Sequence, residues 1–140
     1  FWTERIGPTA ALKTLQGMER EESWKKITET GRKIGSRWKI LAEKYDLPIE
    51  ISGMSALINF NLSVENWLKY KTYITQEMLK KDFLAANSVY VCTEHSEDII
   101  NKYFEEIEII FSKISDCENG DVIENYINSP ICHVGFKRLN

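Results

Sequence analysis

Three groups of side chains in this sequence are of types that can do chemistry, and each makes its own demand on the fold. The first is Thr3, separated by four residues from Pro8. Pro8 suits the first position of a helix. A hydroxyl and a backbone N–H just ahead of that helix are the short, fixed donors that a phosphate requires near the positive end of a helix dipole. The plainer alternative is a capping threonine close to a chain end. Glu4 and Arg5 beside it would meet either a substrate or only an interface. The second group, His95-Ser96 with Asp98, has the residue types of a nucleophilic triad. Neighbours along a chain do not reach that geometry, and no Gly-x-Ser-x-Gly elbow is present. His95 therefore reads as a histidine at a helix start. The third group, Cys92 with His95 and Cys132 with His133, has zinc-ligand types. Adjacent Cys-His side chains converge poorly on one ion, and Cys92 falls in a strand pattern. No metal is assigned, and His133 receives no role. The lysines lie on polar helix faces or in the tail, without the apolar pocket that lowers an amine's pKa.

The elements that must position these groups are legible from periodicity. Pro8 to about Arg20 favours a helix with a narrow apolar side of Ala10, Ala11, Leu12, Leu15 and Met18. From about Glu22 to Tyr45, Trp24, Ile27, Gly31, Ile34, Trp38, Leu41 and Tyr45 recur at alternating spacings of 3 and 4. This predicts an amphipathic helix roughly 36 Å long, at 1.5 Å per residue, burying one stripe. Gly31 and Gly35 each cost up to about 1 kcal/mol of helix propensity against alanine, so close approach of another backbone is the expected compensation. Burial of the two tryptophans would offset that cost.

Asp46-Leu47-Pro48 ends this helix. Ile49–Ser52 and Ser55–Asn61 read as strands around a turn containing Gly53, with Ala56, Ile58 and Phe60 on one face of the second. Trp67 to Lys81 returns to helix spacing through Tyr70, Ile74 and Met78. Phe83–Ala86 is a short extended piece, Asn87-Ser88 a turn and Val89–Cys92 a strand. Ser96-Glu97-Asp98 is a helix start, a hydroxyl cap followed by two acids. Ile99, Tyr103, Ile107, Ile110 and Ile114 carry that helix to about Ser115. A polar loop over Asp116–Asp121, a helical turn over Val122–Tyr126 and an extended tail from Pro130 complete the chain. The order predicts an α+β domain with helices on one face of a small, mostly antiparallel sheet, preceded by a long N-terminal helical segment. The other sheet face would be available to a partner.

Composition excludes several classes. The chain has 140 residues and a net charge of −3, with 43% hydrophobic and 28% charged residues, as expected of one soluble domain. No apolar run approaches the roughly 20 residues that span a bilayer. Lys25, Lys26, Arg32, Lys33, Arg37 and Lys39 form the densest basic cluster, interspersed with Glu22, Glu29 and Glu43, and read as a solvated face rather than a nucleic-acid footprint. The three cysteines, with no C-x-x-C pair, read as reduced thiols of a cytoplasmic protein.

The segment Phe1-Trp2-Thr3-Glu4-Arg5-Ile6-Gly7-Pro8 resembles the Thr-x4-Pro segment of class III pyridoxal-phosphate aminotransferases, closest to the glutamate-1-semialdehyde aminotransferase type. The likeness continues in order to about Ile114. Ser52-Gly53-Met54 followed by Leu57 and Phe60 resembles the family's Gly-x-Met strand start, although here glycine directly precedes methionine. Tyr70-Lys71 through Glu77-Met78-Leu79-Lys80 resembles its surface helix, and Phe83-Leu84-Ala85 with Val89-Tyr90-Val91 its later strands. His95-Ser96-Glu97-Asp98-Ile99 is similar to its His-Thr-x-Glu-Asp-Ile, one residue shorter.

The resemblance implies a C-terminal domain of a fold-type I enzyme, with residues 1–21 connecting from a large domain upstream of Phe1 and residues 22–140 forming the small domain. It implies that Thr3 closes over the cofactor phosphate of the second subunit of a homodimer, and that the cofactor lysine lies upstream, leaving the isolated chain inactive. The substrate would be a small-molecule amino donor or acceptor, with no nucleic acid or membrane partner. Two alternatives stay open: a stand-alone α+β interaction module, and a pyridoxal-phosphate racemase, decarboxylase or phospholyase on the same scaffold.

Overall fold

The computed structural model describes residues 4–135. Helix α1 spans Ile6–Glu21 and helix α2 spans Ser23–Lys44. Glu22 separates them in the left-handed region (φ 48°), and its N–H closes the end of α1 on the Glu19 carbonyl. Strands β1 (Ile49–Met54) and β2 (Leu57–Leu62) form a hairpin. Helix α3 (Trp67–Leu79), strand β3 (Ser88–Tyr90), helix α4 (Glu97–Glu118) and a 3-10 turn (Ile123–Asn125) follow. The sheet is antiparallel with order β1-β2-β3. The architecture is therefore α+β, a small three-stranded sheet with helices on one face and a helical segment ahead of it.

Alternation along β2 dictates the core. Ile58, Phe60 and Leu62 are buried while Leu57, Asn59 and Asn61 look the other way. Phe60, fully buried, receives three aromatic rings edge-on: Trp38 of α2 at 4.8 Å, Phe111 of α4 at 5.7 Å and Trp67 of α3 at 5.9 Å. Rings in this edge-to-face arrangement add roughly 0.5–1.5 kcal/mol per pair to the area they bury. The Trp38 Nε1–H donates to the Tyr103 hydroxyl at 3.0 Å, giving a buried donor its partner.

At the surface, Lys33 pairs with Glu97, Arg37 donates to Asn101 and Lys44 pairs with Glu108. Each pair is 64 residues apart. This constant offset means that α2 and α4 run parallel and in step.

Gly31 explains how α2 reaches the sheet. A Cβ there would lie 1.7 Å from the Ser55 carbonyl oxygen, so the helix backbone rests directly on the β1–β2 turn. The close approach expected for this glycine is present. At Gly35 the neighbour is the Ile58 Cδ1, 2.6 Å from an added Cβ.

Several local expectations need correction. Pro8 is the third residue of α1, not the first. The first helical bond runs from Thr9 N–H to the Arg5 carbonyl at 3.0 Å, so Pro8 still falls where no donor is needed. Gly53 is not in the turn. It pairs with Ile58 inside β1 at φ 85°, and Ser55-Ala56 make the two-residue connection. Trp24, in the first turn of α2 and well before Gly31 meets the β1–β2 turn, is 45% exposed, so of the two tryptophans in this helix only Trp38 is fully buried in the core. In α4 the buried residue of the first turn is Ile100, with Ile99 43% exposed. That helix continues to Glu118, so Asp116–Glu118 are helical and not loop. Phe83–Ala86 forms no strand, and β3 ends at Tyr90, leaving Cys92 in the following turn.

Candidate functional site

The Thr3 phosphate contact lies outside the described residues. Beside it, Arg5 occupies the cap position of α1 and both Glu4 and Arg5 are exposed. Helix α1 has no buried residue. Its apolar side, which runs along Pro8, Ala11, Leu12, Leu15 and Met18 at helical spacing, faces outward, with Leu12 and Leu15 more than half exposed.

The second uncovered surface is the outer face of the sheet. Register aligns Met54, Leu57 and Tyr90 across all three strands, and Met54 and Tyr90 are exposed by 68% and 76%. Next along the face, Ser52 Oγ–H donates to Asn59 Oδ1 at 2.5 Å, so the row turns polar within one residue pair. Each of these residues was visible in the sequence, but the apolar row was not. It exists only once the turn is known to be Ser55-Ala56, which sets the register.

Where β3 meets α4 the chain encloses a cleft of about 240 Å³, lined by Ile34, Phe83, Val89, His95, Ile100 and Tyr103 among others. The cleft is positioned by the Ser96 cap, whose hydroxyl accepts from Ile99 N–H at 3.4 Å and starts α4 there. His95 is half-buried at its edge, and its Nδ1 accepts from Cys92 N–H at 3.3 Å. That bond leaves the proton of the neutral ring on Nε2. Ser96 is committed to its own helix, so the structure does not bring His95, Ser96 and Asp98 into a triad. The Tyr103 hydroxyl is pushed well above the usual phenol range by burial, partly offset by the Trp38 hydrogen bond, and stays neutral. Chemically the cleft is an apolar recess with one imidazole at its rim. It lacks a nucleophile paired with a base.

The Cys-His pairs are held apart by different partners. Cys92 and His95 belong to the turn before α4, whereas Cys132 N–H bonds to Thr72 Oγ1 of α3. Among the described residues, no group of three or more His, Cys, Asp or Glu side chains is placed to hold a metal ion.

No described lysine is buried. Lys33 and Lys44 are raised above the ordinary amine value by hydrogen bonds to Glu97 and Glu108, and Lys113 by hydrogen bonds to Asp121 and Asp116. These shifts favour the ammonium form and oppose attack on a carbonyl. In the basic cluster, Arg37 is half-buried over the Phe104 ring at 4.1 Å while the others are exposed.

The fold and its surfaces thus define a two-layer α+β domain with a filled core and two apolar surfaces left bare. Comparison with protein-family models, with curated proteins and with solved structures gives no match for this chain. No helix among the described residues is long and apolar enough to cross a membrane.

Proposed function

We propose that this chain is the C-terminal domain of a homodimeric, pyridoxal-phosphate-dependent class III aminotransferase or aminomutase of the glutamate-1-semialdehyde aminotransferase type. The observation that carries the reading is the uncovered apolar side of α1 together with the bare Met54–Leu57–Tyr90 row. A domain that leaves both without cover, while packing its interior around Phe60, has surfaces suited to a larger assembly. The segments that resemble the family fall at joints of the fold: Ser52-Gly53-Met54 ends β1, and His95-Ser96-Glu97-Asp98-Ile99 opens α4.

The described lysines do not fit the role of cofactor lysine, since none is buried and the shifted ones are raised. In this proposal the lysine and the cofactor-holding domain lie upstream of Phe1, and this chain makes no covalent bond to the cofactor. Its part is to wall the substrate cleft, support the dimer and reach the second subunit's cofactor phosphate with Thr3. The cytoplasm is the proposed location.

A stand-alone interaction module is the second reading, favoured by a core that is complete within the described residues. The two separate on the protein encoded by the whole gene. Under the enzyme reading, Thr3→Ala weakens cofactor retention on dialysis by roughly 0.5–1.5 kcal/mol, the range for one ordinary hydrogen bond. Unchanged retention removes Thr3 from the site.

A further inference from the structure

The stretch after the 3-10 turn is fastened to α3 by side chains in place of a strand or a helix. Gln76 clasps it twice. Its Nε2–H donates to the Tyr126 carbonyl at 2.8 Å, and its Oε1 accepts from Asn128 N–H at 2.7 Å. The same Nε2 also donates to Glu77 Oε1 at 2.7 Å. One turn back along α3, Thr72 Oγ1 accepts from Cys132 N–H at 2.9 Å, and the Cys132 thiol donates to the Leu68 carbonyl at 3.4 Å. Leu68, Thr72 and Gln76 recur every fourth residue, so the fasteners occupy one face of α3.

Apolar anchoring ends at Ile127, which is partly buried against the core. Ile123 is buried, and the Tyr126 ring meets Tyr73 edge-on at 6.3 Å. Beyond them, Ser129 and Pro130 are exposed and Ile131 is 46% exposed. A segment held by a few polar bonds, with little apolar burial, belongs to the low end of local stability. Beneath it lies a cleft of about 510 Å³ lined by Thr72, Thr75, Leu79, Pro130 and Cys132. Through Thr75 and Leu79 this cleft adjoins a second one, of about 360 Å³, that runs to Phe83, Leu84 and Tyr90 at β3.

We infer that Asn128–Cys132 is a strap, hinged at Ile127, that opens from α3 as a single unit while the core stays folded. Opening unroofs the cleft on α3 and joins it to the cleft at β3 as one continuous apolar groove.

Amide hydrogen exchange by NMR on the full chain tests it, with Asn128 and Cys132 as reporters on the strap and Ile107 of α4 as the reporter on the core. Gln76→Ala removes the clasp at Asn128, and Thr72→Val removes the acceptor at Cys132. Unit opening predicts that either substitution speeds both strap amides by the same factor, about threefold or more, with Ile107 unchanged. Gln76→Glu keeps the acceptor for Asn128 but sets a carboxylate oxygen against the Tyr126 carbonyl and Glu77, and gives an acceleration that is again shared by both strap amides. Acceleration confined to the amide whose own partner was removed overturns the strap. So does equal acceleration at Ile107, or no change at either reporter.

Discussion

Replacing Gly31 by alanine sets two opposed effects against each other at one atom. Alanine raises helix propensity by about 1 kcal/mol over glycine at an interior position. The new methyl group would lie 1.7 Å from the Ser55 carbonyl oxygen and 2.6 Å from its carbon, both main-chain atoms that cannot rotate away. Reaching ordinary contact requires α2 and the β1–β2 turn to part by about 1.7 Å. That movement loosens Ile34 and Ile58, which are now 3% and 6% exposed. Overpacking of this kind costs about 1–3 kcal/mol or more, and a backbone obstacle lies at the upper end. The net expectation is destabilisation by about 2 kcal/mol, or a fall of about 1 M in the urea midpoint.

Two sister substitutions grade the argument. At Gly35 the obstacle is a side-chain end, the Ile58 Cδ1, so alanine there should cost about 1 kcal/mol or less. At Gly17 of α1 nothing lies within 4 Å, so alanine should raise helicity without lowering the midpoint. Circular dichroism across a urea titration reads all three. A Gly31→Ala protein as stable as the wild type would refute the direct seating of α2 on the turn.

Other consequences follow from the same core and surface. Tyr103→Phe leaves the fully buried Trp38 Nε1–H without its acceptor and should cost about 1–3 kcal/mol. Adding Trp38→Phe should then cost less than it does alone, because both partners are gone, and a thermodynamic cycle measures this. The carboxyls of Glu97, Glu108 and Glu124 are lowered chiefly by hydrogen bonds from Lys33, Lys44 and Lys69. Their stabilising effect is complete above the ordinary value of 4.5 and is lost as pH falls through the lowered folded-state values. All three lie at the surface, so the effect is small; roughly 1 M salt should suppress it, and Lys33→Met with Lys44→Met should flatten the acid limb.

How much of the fold could be read in advance varied with the kind of signal. The α2 stripe was legible because its spacing is strict and its glycines mark a close approach. The same stripe overran at Trp24, since periodicity records which face turns inward and not how far along the helix that face is covered. Ile99 and Ile100 are neighbours of equal hydrophobicity, so only which side of α4 meets the buried cluster selects Ile100 for the interior. Gly53 announced a backbone that needs φ above zero, yet a paired strand residue and a turn residue ask for the same thing. The polar run Asp116–Glu118 looked like loop, but it lies on the outer turns of a helix whose inner side is held by Ile114 and Cys117.

The chemistry-bearing groups were legible as types and less so as places. The Ser96 cap was evident from hydroxyl and acids, and it fixes where His95 stands. The cleft beside His95 assembles residues from α2, the β3 region and α4, so no local pattern carries it. The Gln76 clasp joins positions 50 and 52 residues apart, beyond the reach of any spacing rule.

The proposal that this domain serves a cofactor enzyme without supplying its lysine is tested most directly on the protein encoded by the whole gene. That protein, loaded with pyridoxal phosphate, is treated with borohydride and mapped by mass spectrometry. The account predicts one stoichiometric label, on a lysine upstream of Phe1. A label on any lysine of residues 1–140, or no specific label anywhere, would contradict it.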